Sequence, residues 1–269
     1  MITLQRKVVD ELVGKSFYDA KLPTALRNAQ KHAGSNGFVA SLPQLVDARL
    51  LADGSNDVWQ NWYIANSEEN VGKSKWGSPL LAVVHGGGIW TPERIEKAYS
   101  DGLTNVYAGK LLNKEFRDAV NGKLPDGSGI DVLDFKEFDE ATKLPQRYFV
   151  VLNLNEIKKL HSGVQKEKDL RNNKLFIVRA GGRAKANAYL DKTAKVYENE
   201  NLGNWHPFAS VDPEEAQGRL LFLGNSCNGG FVGDNDLSYS GRFIVGVFSA
   251  GGIAEQVQRN LLEKISEAP

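Results

Sequence analysis

One cysteine and one methionine stand among 269 residues, and thirty-three basic side chains balance thirty-three acidic ones. Cys227 has no second thiol in the chain to pair with, which removes the disulfide framework of small secreted domains and suggests a reducing compartment. A chain with no charge excess has no long-range field to steer it onto nucleic acid or an anionic membrane. No run approaches the roughly 18 apolar residues of a membrane span. The opening MITLQRKVVDELVGK interleaves charged with apolar residues where a leader has an apolar core. Together these absences predict a cytoplasmic protein with no membrane partner.

What is present is ordinary for a folded protein: 41% apolar and 25% charged residues, far from disordered or fibrous compositions. The length is near the limit at which one core stops growing. With no Pro- or Ser-rich linker in view, residues 1–269 read as a single domain, with 140–146 (EATKLPQ) the weakest point.

Hydrophobic periodicity predicts helices over 2–13, 26–33, 111–120 and 155–160 and strands over 58–65, 78–84, 129–138, 147–154 and 219–224. Thr91-Pro92-Glu93 opens a further helix to about Ser100: threonine caps, proline suits the first turn and the acid suits the dipole. Three times an apolar run meets paired glycines and then a helix-prone stretch: SPLLAVVHGGGIWT, KLFIVRAGGRAK and GRFIVGVFSAGGIAEQ. These units predict an α/β fold, a mixed, partly parallel sheet with helices on both faces, built around three strand-GlyGly-helix units. The polar stretches 199–217 and 225–240 read as long loops, which in compact proteins often carry function.

Where a strand gives way to a helix, unpaired backbone amides and the helix dipole can hold a phosphate or carboxylate, and glycine lets that backbone come close. Gly86, Gly87 and Gly88 offer one such turn, with His85 available for proton transfer; Gly181 and Gly182 offer another, beside Arg179, Arg183 and Lys185. From Lys158 to Lys195 there are eleven basic residues against three acidic ones. The leading expectation is therefore an enzyme of transferase or lyase type that binds an anionic small molecule, a nucleotide or a sugar phosphate, on its glycine turns. None of the turns spells GxGxxG or GxxxxGK[ST]. HGGG supplies oxyanion amides in lipases and esterases, but no GxSxG is present and no histidine follows His206. Cys227, in GNSCNGG after an apolar run, is a candidate thiolate nucleophile.

Two alternatives stand beside that reading. Pro125-Asp126 followed by Asp134-Phe135-Lys136 resembles the metal-binding core of PD-(D/E)xK nucleases. That resemblance implies Mg²⁺ on Asp126 and Asp134, an attacking water of lowered pKa, and Lys136 on the same strand face acting on nucleic acid. The other alternative is a non-enzymatic binding or structural protein whose polar 225–240 stretch meets a partner. His32, His85, His161 and His206 show no zinc spacing.

Overall fold

The computed structural model describes residues 15–225 and 230–247. The predicted 2–13 helix, Cys227 and the Gly251-Gly252 turn lie outside them. In chain order the strands are β1 Ser16–Asp19, β2 Gly37–Val39, β3 Tyr63–Lys73, β4 Pro79–His85, β5 Gly109–Lys110, β6 Asp131–Asp134, β7 Tyr148–Asn153, β8 Gly163–Lys166, β9 Asn201–Trp205, β10 Gln217–Leu223, β11 Phe231–Val232 and β12 Gly241–Val247. The helices are α1 Leu22–Ala33, α2 Leu42–Leu51, α3 Asp57–Gln60, α4 Pro92–Asp101, α5 Asn113–Ala119, α6 Phe135–Glu140, α7 Leu154–Ile157, α8 Glu167–Leu170, α9 Lys174–Ala180 and α10 Arg183–Tyr197.

The main sheet runs in the order β6-β7-β4-β3-β10-β11-β9-β8, with β5 paired to β10; a second sheet runs β1-β12-β2. Both are largely antiparallel, and the parallel pairs are β6 with β7 and β9 with β11. The strand from 78 to 84 predicted as a parallel-sheet core is β4, buried on both faces as expected but antiparallel to both neighbours. Alternate side chains of the main sheet enter two cores. Trp59, Val83, Val150, Phe176, Tyr189 and Phe231 belong to one; Ile64, Val84, Trp90, Phe116, Phe149 and Phe243 belong to the other.

The mixed sheet with helices is present, but three strand-GlyGly-helix units are not shown: β4, Gly86–Gly88 and α4 follow in the predicted order, the second unit is helical before its glycines, and the third runs outside the described residues. KLFIVRA is helix α9. Asn173 Oδ1 accepts the Phe176 N–H at 3.1 Å to start it, and Gly181 ends it in the left-handed region at φ 86°. From Leu175 to Ala180 every residue is buried, so no polar face marks the period and the run reads equally well as a strand. The predicted strand at 58–65 divides into α3 and the start of β3, whose remainder, SEENVGK, is polar by sequence. The predicted strand at 129–138 ends at Asp134, which caps α6 by accepting the Glu137 N–H at 2.8 Å.

Candidate binding surface

Four consecutive polar residues of β3, Ser67-Glu68-Glu69-Asn70, are buried at the centre of the main sheet. Strand alternation sends Glu68 and Asn70 to one face and Ser67 and Glu69 to the other. Glu68 faces the HGGGIW turn. Its Oε2 accepts the Ile89 N–H at 3.0 Å, its Oε1 the Trp90 N–H at 2.9 Å, and Asn70 Nδ2 donates at 3.1 Å. Burial raises the Glu68 carboxyl above its ordinary range, and these donors oppose that rise. Gly88 is small because Glu68 is there: a Cβ on Gly88 would stand 2.6 Å from Oε2. The turn does cradle a carboxylate, and the carboxylate is the protein's own.

On the opposite face Arg179 meets Glu69 through two bonds, Nε to Oε1 at 2.7 Å and Nη2 to Oε2 at 2.8 Å, and donates to Asn204 Oδ1 at 2.6 Å. Both partners are fully buried. Ser67 Oγ lies 2.8 Å from His85 Nδ1, while His85 Nε2 lies 3.0 Å from the Val178 carbonyl. A carbonyl only accepts, so Nε2 carries the proton and Nδ1 takes the serine hydroxyl. Burial pushes the His85 pKa down to about 3. The imidazole is a neutral strut between β3 and α9, sealed from any substrate.

The remaining residues singled out by sequence are also used inside the molecule. The Gly86 and Gly87 N–H groups both donate to Asn66 O at 3.0 Å, Gly181 N–H to Val178 O and Gly182 N–H to Ile177 O at 3.0 Å. Arg183 pairs with Asp139 at 2.7 Å and Lys185 with Asp47 at 2.7 Å. Asp126 closes a turn by accepting from the Ser128 N–H at 2.9 Å and Oγ at 2.6 Å, which lowers its pKa. Because β6 stops at Asp134, Lys136 sits in helix α6, and the shared strand face expected of Asp134 and Lys136 does not form. Among the described residues no three His, Cys, Asp or Glu side chains gather as a metal site.

The HGGGIW turn does position something at the surface. Trp90 Nε1 donates to Asn70 Oδ1 at 2.7 Å, and the indole lies so close beneath β5 that a Cβ on Gly109 would stand 2.2 Å from it and 3.0 Å from Leu237. Leu237 anchors the 231–240 segment: its carbonyl accepts from the Tyr99 hydroxyl and its N–H donates to Tyr107 O at 3.4 Å. Arg219, nearly buried on β10, donates to Val106 O at 3.0 Å. Burial lowers the Arg219 pKa to about 10, against the opposing pull of Glu69, Asp234 and Asp236. Two loops, 103–108 and 231–240, are thereby fastened side by side.

Their outer side carries aromatic residues that the interior does not use. Tyr107 is 60% exposed and Tyr239 53%. Tyr107 also holds φ at 59°, a conformation that bulky side chains rarely adopt. Tyr99 is partly covered, and burial together with nearby Asp236 pushes its hydroxyl pKa up to about 12. The sequence offered one signal for this surface, the polar 225–240 stretch; nothing in it pointed to Tyr107, Glu68 or Glu69.

No family model and no curated protein matches the chain. A solved structure does, under the description "Accommodation of massive sequence variation in Nanoarchaeota by the C-type lectin fold": the TM-score is 0.69 at 28% identity, covering 89% of this chain and 100% of that one. The architecture is thus that of a C-type lectin fold. It overturns the expectation of a phosphate- or nucleotide-binding enzyme on glycine loops, in keeping with loop amides and cations already paired internally. Among the readings the sequence allowed, the fold favours the non-enzymatic binding protein. No helix among the described residues is long and apolar enough to cross a membrane.

Proposed function

We propose that the protein is a non-catalytic binding protein that meets a macromolecular partner, a protein surface, through the paired loops 103–108 and 231–240. The observation that carries this is Tyr107, whose backbone fastens the two loops while its large aromatic side chain, at φ 59°, stands 60% exposed. Tyrosine is suited to such a surface because it gives contact area and a hydroxyl with few torsions to freeze. The solved structure of similar fold is described as accommodating massive sequence variation. The division seen here supports the same capacity in this chain: the buried Glu68 and Glu69 networks carry the fold, leaving the exposed side chains at 107, 238 and 239 free to change.

Photo-crosslinking tests the proposal. The full chain with benzoylphenylalanine in place of Tyr107 or Tyr239 is expected to form a discrete protein adduct in extracts of its own cells. The same group in place of Trp76, 83% exposed on the β3–β4 turn, is expected to form none. Equal labelling at all three positions, or none at 107 and 239, overturns the proposal.

A further inference from the structure

We infer a second binding site, independent of the tyrosine surface: a groove that takes the carboxy-terminal end of an extended peptide, its terminal carboxylate on Arg147. Two adjoining hollows of about 320 Å³ each form the groove and share Gln44 and Gln146 as their common wall. Each is at the small end of the range for small-molecule sites, roughly 300 to 1,000 Å³, so the groove has room for a chain end and not for a folded surface.

Arg147 lines the first hollow with Gln30, Val39 and Asn66, and among the described residues no acidic side chain does. Two neutral acceptors fix the guanidinium: Nε donates to Gly87 O at 3.0 Å and Nη1 to Ser128 Oγ at 3.3 Å. Asp126 reaches it only through Ser128, whose Oγ donates to Asp126 Oδ1 at 2.6 Å. Glu68 feels the same charge, but its two oxygens are taken by the Ile89 and Trp90 N–H groups. Among the described residues Nη2 has no partner, and Nη1 keeps one hydrogen. A guanidinium held in one orientation with donors to spare is suited to a carboxylate. Its single charge matches one carboxylate, whereas a phosphate group carries about −1.5 to −2 at neutral pH.

Beyond that cation the lining is neutral. Gln44 Oε1 accepts from the Ser41 N–H at 2.8 Å and Oγ at 2.9 Å, which fixes the amide and leaves its NH₂ unused. Among the described residues the side-chain amides of Gln30, Asn66 and Gln146 have no hydrogen-bond partner. A primary amide offers a donor and an acceptor side by side, the complement of a peptide group. In the second hollow Lys185 is already held by Asp47 at 2.7 Å, and Pro43, Leu144 and Pro145 supply apolar surface. An extended chain thus meets a cation at its end, amides along its backbone and apolar surface for an upstream side chain.

The test is titration of the full-length protein with N-acetylated tripeptides of mixed sequence, each as the free acid and as the C-terminal amide. The Arg147 side-chain N–H and the Gln44 and Gln146 amide resonances are followed. At least one free acid is expected to shift them saturably, and its amide to bind roughly tenfold more weakly or worse. That comparison alters only the ligand, so it holds whatever Arg147 does for folding. Arg147→Gln is expected to remove binding, and Gln146→Ala, on an exposed side chain, to weaken it with the melting temperature unchanged. Tyr107→Ala should leave the shifts intact, so failure of the partner-binding proposal and failure of this one are distinguishable. Three outcomes overturn the groove: no shift with any peptide at millimolar concentration, equal binding of acid and amide, or acetate, succinate or inorganic phosphate binding as tightly as the best peptide.

Discussion

A Cβ placed on Gly88 would stand 2.6 Å from Glu68 Oε2 and 2.9 Å from Val84 Cγ1, both fixed inside the sheet. Gly88→Ala is therefore expected to destabilise by about 1 to 3 kcal/mol, as overpacking does, read as a lower urea midpoint at constant m-value. Arg179 gives a larger effect. Arg179→Met strands a buried Glu69 carboxylate, at a cost of about 3 to 5 kcal/mol, whereas Glu69→Leu combined with Arg179→Met removes both charges and is expected to recover most of it. A double variant no more stable than Arg179→Met alone refutes that account. Tyr107 has the opposite sign. Glycine adopts φ 59° without the clash that a bulky residue meets, at an entropic cost of about 0.5 to 1 kcal/mol. Tyr107→Gly is thus expected to leave the melting temperature unchanged or slightly higher while abolishing adduct formation at position 239. At this scale the sequence was legible in outline only. It led to an external anion on the glycine amides of the 85–91 turn, but Gly86 and Gly87 donate to Asn66 O and the carboxyl held by the Ile89 and Trp90 N–H groups is Glu68; nothing in the local pattern of SEEN says that its carboxylates point inward.

Elements were legible where polar and apolar faces alternate or caps are spelled out. Helix α4 begins where Thr91-Pro92 predicted, with Thr91 Oγ1 accepting the Arg94 N–H at 3.2 Å, and β4, β7 and β10 fall where apolar runs of strand length placed them. Helix α9 was misread because its caps, Asn173 and Gly181, flank a run buried on every side, and burial erases the periodicity that separates helix from strand. The caps then carry much of the specification. Asn173→Ala is expected to cost about 1 to 2 kcal/mol, and since α9 holds both Val178 and Arg179, it should also speed amide exchange on β3 opposite them. Unchanged exchange on β3 would mean that the caps do not govern the seating of α9. The nuclease resemblance failed at this scale too, because a strand of four residues ended by its own N-cap cannot present Asp134 and Lys136 together.

The whole molecule has two histidines held neutral by packing, and this sets its response to acid. His85 and His206 both have pKa values pushed down to about 3, chiefly by burial, with the Arg179 charge adding to the effect at His206. In the unfolded chain each titrates near the usual 6.5, so below that pH the unfolded state binds more protons than the folded one. Stability is therefore full above about pH 6.5 and falls as pH drops toward 3, by on the order of a few kcal/mol in all. Glu68, its carboxyl raised by burial, acts in the opposite direction and softens the slope. The His206 ring stacks on Phe208 at 5.1 Å. His206→Phe is expected to flatten the acid limb of a melting-temperature profile between pH 4 and 7; an unchanged profile would assign the loss to other groups. By itself the sequence determined the globular composition, the mixture of strands and helices, several strand and helix positions and the glycine turn after β4, because these follow from local periodicity and backbone chemistry. Only the tertiary structure decided what that turn holds, which cations are free, and that the sheet is mainly antiparallel. It alone joined the Tyr107 loop to the 231–240 segment through Leu237, because pairings between residues far apart in the chain are set by which side chains share a core.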